Sequence, residues 1–179
     1  RSVDADDKTS DVLVKVIDNS VAAFLQYRNT ASSPAIEQAS QAIFSAWKNK
    51  KRLEIYGVGN SGVVAQDAQH KFFRLGITSQ ASSDAHIQAL GATMLQPEDC
   101  LILISNSGRT RDLIDIAEIA NQRGAIVIGI TSSHTPLSEK TKILLAADNP
   151  EGSDQYSPMA SRLLHLLIID ILATSVALK

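Results

Sequence analysis

Between residues 11 and 27 the apolar side chains fall at Val12, Val16, Ile17, Val21, Phe24 and Leu25. Steps of three and four predict an amphipathic helix, with Ser10 or Asp11 placed to cap its start. A second helix is predicted after Ser33, with Pro34 at its first position and Ile36, Ala39, Ile43, Phe44 and Trp47 along one face. The basic run Lys48-Asn49-Lys50-Lys51-Arg52 closes it as a solvated C-terminus, where the helix dipole favours cations.

Beyond that point short apolar runs alternate with helical periods. Leu53 to Tyr56 reads as a strand, followed by the glycine-rich loop Gly57 to Gly62 and a helix from about Val63 to Leu75. A second strand is predicted over Ile77 to Gln80 and a helix over Ala85 to Met94. Leu101 to Ile104 is a strand leading through Ser105 to Thr110 into a helix over Arg111 to Arg123, which Gly124 ends. Strands follow at Ala125 to Ile130 and Ile143 to Ala146, and a long helix from about Ser157 to Leu178 closes the chain. Strands that alternate with helices and are apolar on both faces predict an α/β fold, a parallel sheet of about five strands covered by helices on both sides.

Composition narrows the class. With 179 residues, 44% of them hydrophobic, the chain can build a core without disulfides or metal. A formal charge of −2 carries no electrostatic footprint for nucleic acid, so the chain itself is not expected to bind DNA. The single cysteine, Cys100, sits in an apolar run and reads as a buried strand thiol. The most apolar stretch, Leu163 to Leu178, is interrupted or flanked by Arg162, His165 and Asp170, so no membrane span is expected. The start is polar and carries no signal peptide, which predicts a soluble cytoplasmic protein. Residues 1–10 read as a linker from a missing N-terminal domain, leaving residues 11–179 as one domain.

Two loops carry the chemistry. In a parallel sheet, ligands sit beyond the carboxyl ends of the strands, where loops enter helices. Gly57-Val58-Gly59-Asn60-Ser61-Gly62 permits close backbone approach, and Ser105-Asn106-Ser107-Gly108-Arg109-Thr110 offers three hydroxyls and a glycine. A helix N-terminus presents unpaired N–H groups and a partial positive charge, so two such loops on one rim suit a small phosphorylated molecule. Each loop has a plainer reading. The glycine spacing also matches a dinucleotide fingerprint with Asp84 as the ribose acid, and Ser105, Ser107 and Thr110 could serve only as helix caps.

The paired loops resemble the two signatures of the SIS (sugar isomerase) domain. Asp84 to Leu90 and the tail Tyr156 to Arg162, running into Ile168 to Leu172, resemble the phosphosugar-binding domain of RpiR-type transcription regulators, within them the branch governing hexose catabolism. The resemblance covers nearly the whole chain. It implies a five-stranded parallel sheet, a homodimer or tetramer, and DNA binding through an absent N-terminal helix-turn-helix domain. It implies a non-catalytic sensor whose effector is a sugar phosphate, 2-keto-3-deoxy-6-phosphogluconate, with no cofactor. Matched by position, Gly59, Asn60, Ser61, Ser105, Asn106, Ser107, Gly108, Arg109 and Thr110 would hold the ligand, chiefly its phosphate.

Glu151 and Arg162 are further ligand or interface candidates, Arg162 because the last helix is expected beside the site and the effector carries a carboxylate. Lys71 lies ten residues past Ser61, ~15 Å along a helix, and reads as a surface lysine. His70, His86, His134 and His165 lack metal-ligand spacing, so no metal is expected. His165, among leucines, reads as a core or interface histidine. The alternative function is a phosphosugar isomerase or lyase, with Glu151 as base and His165 or His86 assisting.

Overall fold

The computed structural model describes residues 3–148 and 160–179. Helices α1 (Thr9–Thr30) and α2 (Ser33–Lys48) precede β1 (Leu53–Tyr56), α3 (Asn60–Arg74), β2 (Gln80–Ser82) and α4 (Ala85–Thr93). Then come β3 (Cys100–Ser105), α5 (Arg111–Gln122), β4 (Ile126–Thr131), a short 3-10 turn at Ser138–Lys140, β5 (Ile143–Ala146) and α6 (Ala160–Ala177). All strand pairs are parallel, in the order β2-β1-β3-β4-β5. The expected α/β sheet of five strands is therefore present.

Period-two alternation sorts the strand residues into two cores. Leu53, Ile55, Cys100, Ile102, Ile104, Ile128, Ile130, Ile143 and Leu145 face α2, α3 and α6. Tyr56, Leu101, Leu103 and Val127 face α4 and α5. Burial on both faces explains why β1, β3 and β4 read as continuous apolar runs. α6 passes between α1, α2 and α3 with Leu164, His165, Ile168, Ile169, Leu172, Ala173 and Val176 buried. Contrary to the sequence expectation, it is long and apolar enough to cross a membrane by length and composition. Its buried face makes it the central helix of the domain, and that role accounts for its hydrophobicity.

Several boundaries depart from the pattern. α1 starts at Thr9 with Lys8 as N-cap, and Asp11 lies inside the first turn, its Oδ2 accepting from the Lys8 N–H at 3.1 Å. Asp11 thus helps to cap the start, from the third helical position rather than as the N-cap itself, and Ser10 is not the N-cap. β2 falls on Gln80–Ser82 rather than Ile77 to Gln80. Ile77 is apolar because it plugs the core after the turn, not because it is in the sheet. α3 begins three residues early, at Asn60. The predicted start of the last helix, residues 157–159, lies outside the described residues.

A strand order of 2-1-3-4-5 has a topological switch point between β1 and β3. There the helices following the two strands leave toward opposite faces and a crevice opens at the carboxyl rim. The loops after β1 and after β3 are the two singled out from sequence.

Candidate functional site at the sheet switch point

The first loop is a hard turn built by glycine. A Cβ on Gly57 would lie 2.5 Å from the Ser61 carbonyl oxygen, so the chain doubles back with no room for a side chain. Gly59, at φ 56° and ψ −128°, is the N-cap of α3 in a region that side chains disfavour. Asn60 and Ser61 thereby occupy the first turn of the helix. From below, the buried Gln88 of α4 donates from Nε2 to the Gly57 carbonyl (3.1 Å) and the Ser82 carbonyl (2.8 Å). This ties the loop to the end of β2.

The second loop is held by its own hydroxyls. Ser105, buried at the end of β3, accepts from the Gly108 N–H at 3.1 Å and lies 3.4 Å from Thr110 Oγ1. Ser107 accepts from the Arg109 N–H at 3.2 Å. The segment after β4 braces the loop from behind. Ser132 donates to the Asn106 carbonyl (2.7 Å), and the Leu137 N–H donates to the Gly108 carbonyl (3.0 Å). Gly108 has φ +62°, and a Cβ there would meet Thr135 Oγ1 at 2.1 Å. Behind it, Thr131 Oγ1 is buried without a hydrogen-bond partner among the described residues.

The helix starts at these loops differ from those of α2 and α4. Ser32 caps α2 by accepting from Ala35, and Asp84 caps α4 by accepting from Ile87. At α3 and α5 the N-cap residues, Gly59 and Thr110, make no side-chain capping bond. The capping alternative for Ser105, Ser107 and Thr110 therefore does not describe their hydrogen bonds. Asp84, weighed as a ribose acid, has its carboxylate engaged at α4. Both open helix starts carry a partial positive charge onto the same rim.

Beside the start of α3 and the second loop lies a cavity of about 240 Å³ lined by Val58, Asn60, Ser61, Val64, Asn106, Ser161, Arg162 and His165. Of the residues picked out from sequence, Asn60, Ser61, Asn106 and Arg162 meet here. Gly59, Ser105, Ser107, Gly108, Arg109 and Thr110 do not line it. Ser105 and Gly108 are buried within the second loop, while Ser107 and Arg109 are exposed on it. Arg162 is exposed and makes no ion pair among the described residues. Glu151 lies outside the described residues, and His86 is not among the lining residues.

Sequence reasoning put His165 in the core or an interface. It is buried, and it also lines the cavity. Ser161 was not singled out at all. It lies four residues before His165, on the same face of α6, but nothing local to the sequence aims that face at the cavity. Lys71 pairs with Asp170 of α6 and lies away from the cavity, as the surface reading had it. No group of three or more His, Cys, Asp or Glu side chains is disposed to hold a metal among the described residues.

Residues 47–175 match the SIS domain family. The chain is 43% identical over 173 residues to the bifunctional protein glk of Burkholderia thailandensis, covering 97% of this chain but 26% of that protein. It is 34% identical over 179 residues to the HTH-type transcriptional regulator HexR of Escherichia coli, covering 100% of this chain and 61% of that one. Thus it spans about a quarter of the first relative and three-fifths of the second. Among solved structures, the NanR protein of Vibrio vulnificus complexed with ManNAc-6P superposes with a TM-score of 0.84 at 24% identity, over 94% of this chain and 62% of that one. Phosphosugar isomerases share the fold as well. With most of its length matched and this switch-point architecture, the chain belongs to the SIS domain family.

Proposed function

We propose that this domain is the effector-sensing part of a transcription regulator of hexose catabolism, binding a sugar phosphate in the switch-point crevice without transforming it. The observation that carries the reading is one cavity lined from both loops, by Asn60 and Ser61 at the start of α3, where the N-cap makes no side-chain bond, and by Asn106 after β3. The phosphate would sit against Ser61 and the second loop. Its oxygens would take hydrogen bonds from the hydroxyls of Ser61, Ser105, Ser107 and Thr110 and from backbone N–H groups of Asn106 to Gly108. Asn60, Gly59 and Arg109 would border it. Arg162 would meet the carboxylate of 2-keto-3-deoxy-6-phosphogluconate, the effector we favour, with Glu151 near the same end.

The similarity to HexR supports the regulator reading, and its helix-turn-helix designation supports DNA binding through a domain N-terminal to this one, joined by residues 1–10. The protein would act in the cytoplasm as a homo-oligomer. Effector binding would favour one subunit arrangement over another by ordering the two loops and the start of α6.

Isothermal titration with 2-keto-3-deoxy-6-phosphogluconate, fructose 6-phosphate, glucosamine 6-phosphate and ManNAc-6P tests this. The expected result is tight binding of the first alone, without turnover. Ser61→Ala should weaken it by the roughly 1.5–3 kcal/mol of a hydrogen bond to a charged group, with folding nearly intact. Conversion of any of these sugars would replace the sensor reading with an isomerase or lyase. Unchanged affinity in Ser61→Ala would place the ligand elsewhere.

A further inference from the structure

β2 is an outer strand of the five-stranded sheet, so half of its backbone groups have no neighbouring strand to meet. Which half follows from the register. The Ser82 carbonyl accepts from the Gly57 N–H (3.3 Å) on the β1 side. Backbone direction alternates along a strand, so Gln80 and Ser82 face β1 while Ser79 and Ala81 turn their N–H and C=O groups outward.

Two of those outward groups are taken up by one side chain. Gln69 of α3 donates from Nε2 to the Ser79 carbonyl (3.1 Å) and accepts at Oε1 from the Ala81 N–H (3.3 Å). The amide can sit only this way round, because a carbonyl cannot donate and an N–H cannot accept. In a parallel pair, the residue opposite Gln80 would donate to the Ser79 carbonyl and accept from the Ala81 N–H. Gln69 makes that same pair of bonds with a carboxamide, which carries a donor and an acceptor on one planar centre as a peptide group does. α3 does not need these bonds to dock, since Val64, Ala65, Ala68 and Phe72 already bury its inner face in the core.

The surroundings of the edge give the bonds a purpose. A cleft of about 470 Å³ opens beside it, walled in part by Gln69, His70 and Phe73, and Phe73 is 73% exposed. Bare strand groups next to an exposed aromatic ring are an adhesive combination on which a further strand can nucleate. The commoner guards of an edge are missing, because Ile77 to Ser83 contains neither a charged residue nor a proline. We propose that Gln69 is an end stop for the sheet: its carboxamide stands in for a residue of a sixth strand and keeps the β2 edge from pairing with an extended segment of another chain. The proposal involves no ligand and is independent of the sensor reading.

Hydrogen exchange and aggregation measurements test it. In the native chain the Ala81 amide should be protected although it faces away from the sheet. Gln69→Ala keeps a strong helix former in α3 and should speed that exchange at least roughly fivefold, about the worth of one net hydrogen bond. The amides of Ile102 and Ile128 in the central strands should be speeded less. The same variant should form thioflavin-binding aggregates under conditions in which the native chain stays clear. A charge on the bared edge, in Gln69→Ala/Gln80→Lys, should suppress those aggregates while Ala81 still exchanges fast, a rescue that general loss of stability would not show. Should Gln69→Ala fail to fold, Gln69→Met, which keeps the unbranched stem but neither bond, takes its place in each arm. Native Ala81 exchanging as a free amide, a folded variant as clear as the native chain, or aggregation that Gln80→Lys leaves untouched would overturn the proposal.

Discussion

Replacing Gly108 by alanine puts the architecture of the second loop to a quantitative test. Two costs add at this residue. Its φ of +62° is a left-handed conformation that costs an L side chain about 1–2 kcal/mol. The new Cβ would also stand 2.1 Å from Thr135 Oγ1, 2.6 Å from Thr135 Cβ and 2.8 Å from Thr131 Oγ1. Thr135 cannot simply turn aside, because its Oγ1 donates to the Ser132 carbonyl (2.9 Å) and accepts from the Ser138 N–H (3.2 Å). Overpacking of this kind costs about 1–3 kcal/mol, so the total is about 2–5 kcal/mol. Gly76 provides the control, with φ +75° and nothing within 4 Å of an added Cβ, so Gly76→Ala carries only the backbone cost of about 1–2 kcal/mol. Urea unfolding of both variants measures the difference. Titration with 2-keto-3-deoxy-6-phosphogluconate should show weakened binding in Gly108→Ala alone, since Ser105 Oγ and the Gly108 N–H would be displaced together. Equal stability losses in the two variants, or full affinity in Gly108→Ala, would refute the reasoning.

Other expectations follow from single side chains. Lys71→Ala removes the pair with Asp170, but both side chains are substantially exposed, so stability should change by less than about 1 kcal/mol and ligand affinity not at all. Cys100 is buried and its thiol is pushed up to about 12, first by burial and then by the neighbouring Asp99 charge. A thiol reagent at neutral pH should leave the native chain unmodified and label it on unfolding. Because the unfolded thiol ionises near pH ~8.5, stability should be full below that pH and decline as pH rises toward 12, by up to about 1.4 kcal/mol per pH unit. Cys100→Ala should remove that part of the alkaline loss, and an identical alkaline slope in both chains would contradict it.

The sheet was legible because its central strands are buried on both faces. β1, β3 and β4 carry nearly unbroken apolar runs, and the helix–strand alternation around them fixes the class. β2 was displaced by three residues because an edge strand paired through its backbone needs no apolar signature. Gln80, Ala81 and Ser82 supply none, while Ile77 does so for a different reason. α3 was started late because Asn60, Ser61 and Gly62 are weak helix formers. What makes them a first turn is the unusual backbone of Gly59, which composition does not reveal. The α1 pattern predicted a helix correctly but not which side is covered, since Ile17, Val21 and Leu25 share its apolar period and face outward.

At the site, the loops announced themselves by composition, so Ser61 and Asn106 could be placed from sequence. Ser161 could not, because its approach to the cavity depends on how α6 docks across α3, a tertiary arrangement no local pattern encodes. Similarly, hydroxyls that looked alike in sequence separate in the structure. Ser61 lines the cavity, while Ser105 and Ser107 close hydrogen bonds within their own loop.

In the proposed function a sugar phosphate occupies the crevice between the loops after β1 and β3. The most direct measurement is an amide NMR titration of the chain with 2-keto-3-deoxy-6-phosphogluconate. The largest perturbations should fall on the amides of residues 59–62 and 106–112, with a weaker response at the start of α6. Saturable binding that leaves those amides in place and shifts another surface would contradict it.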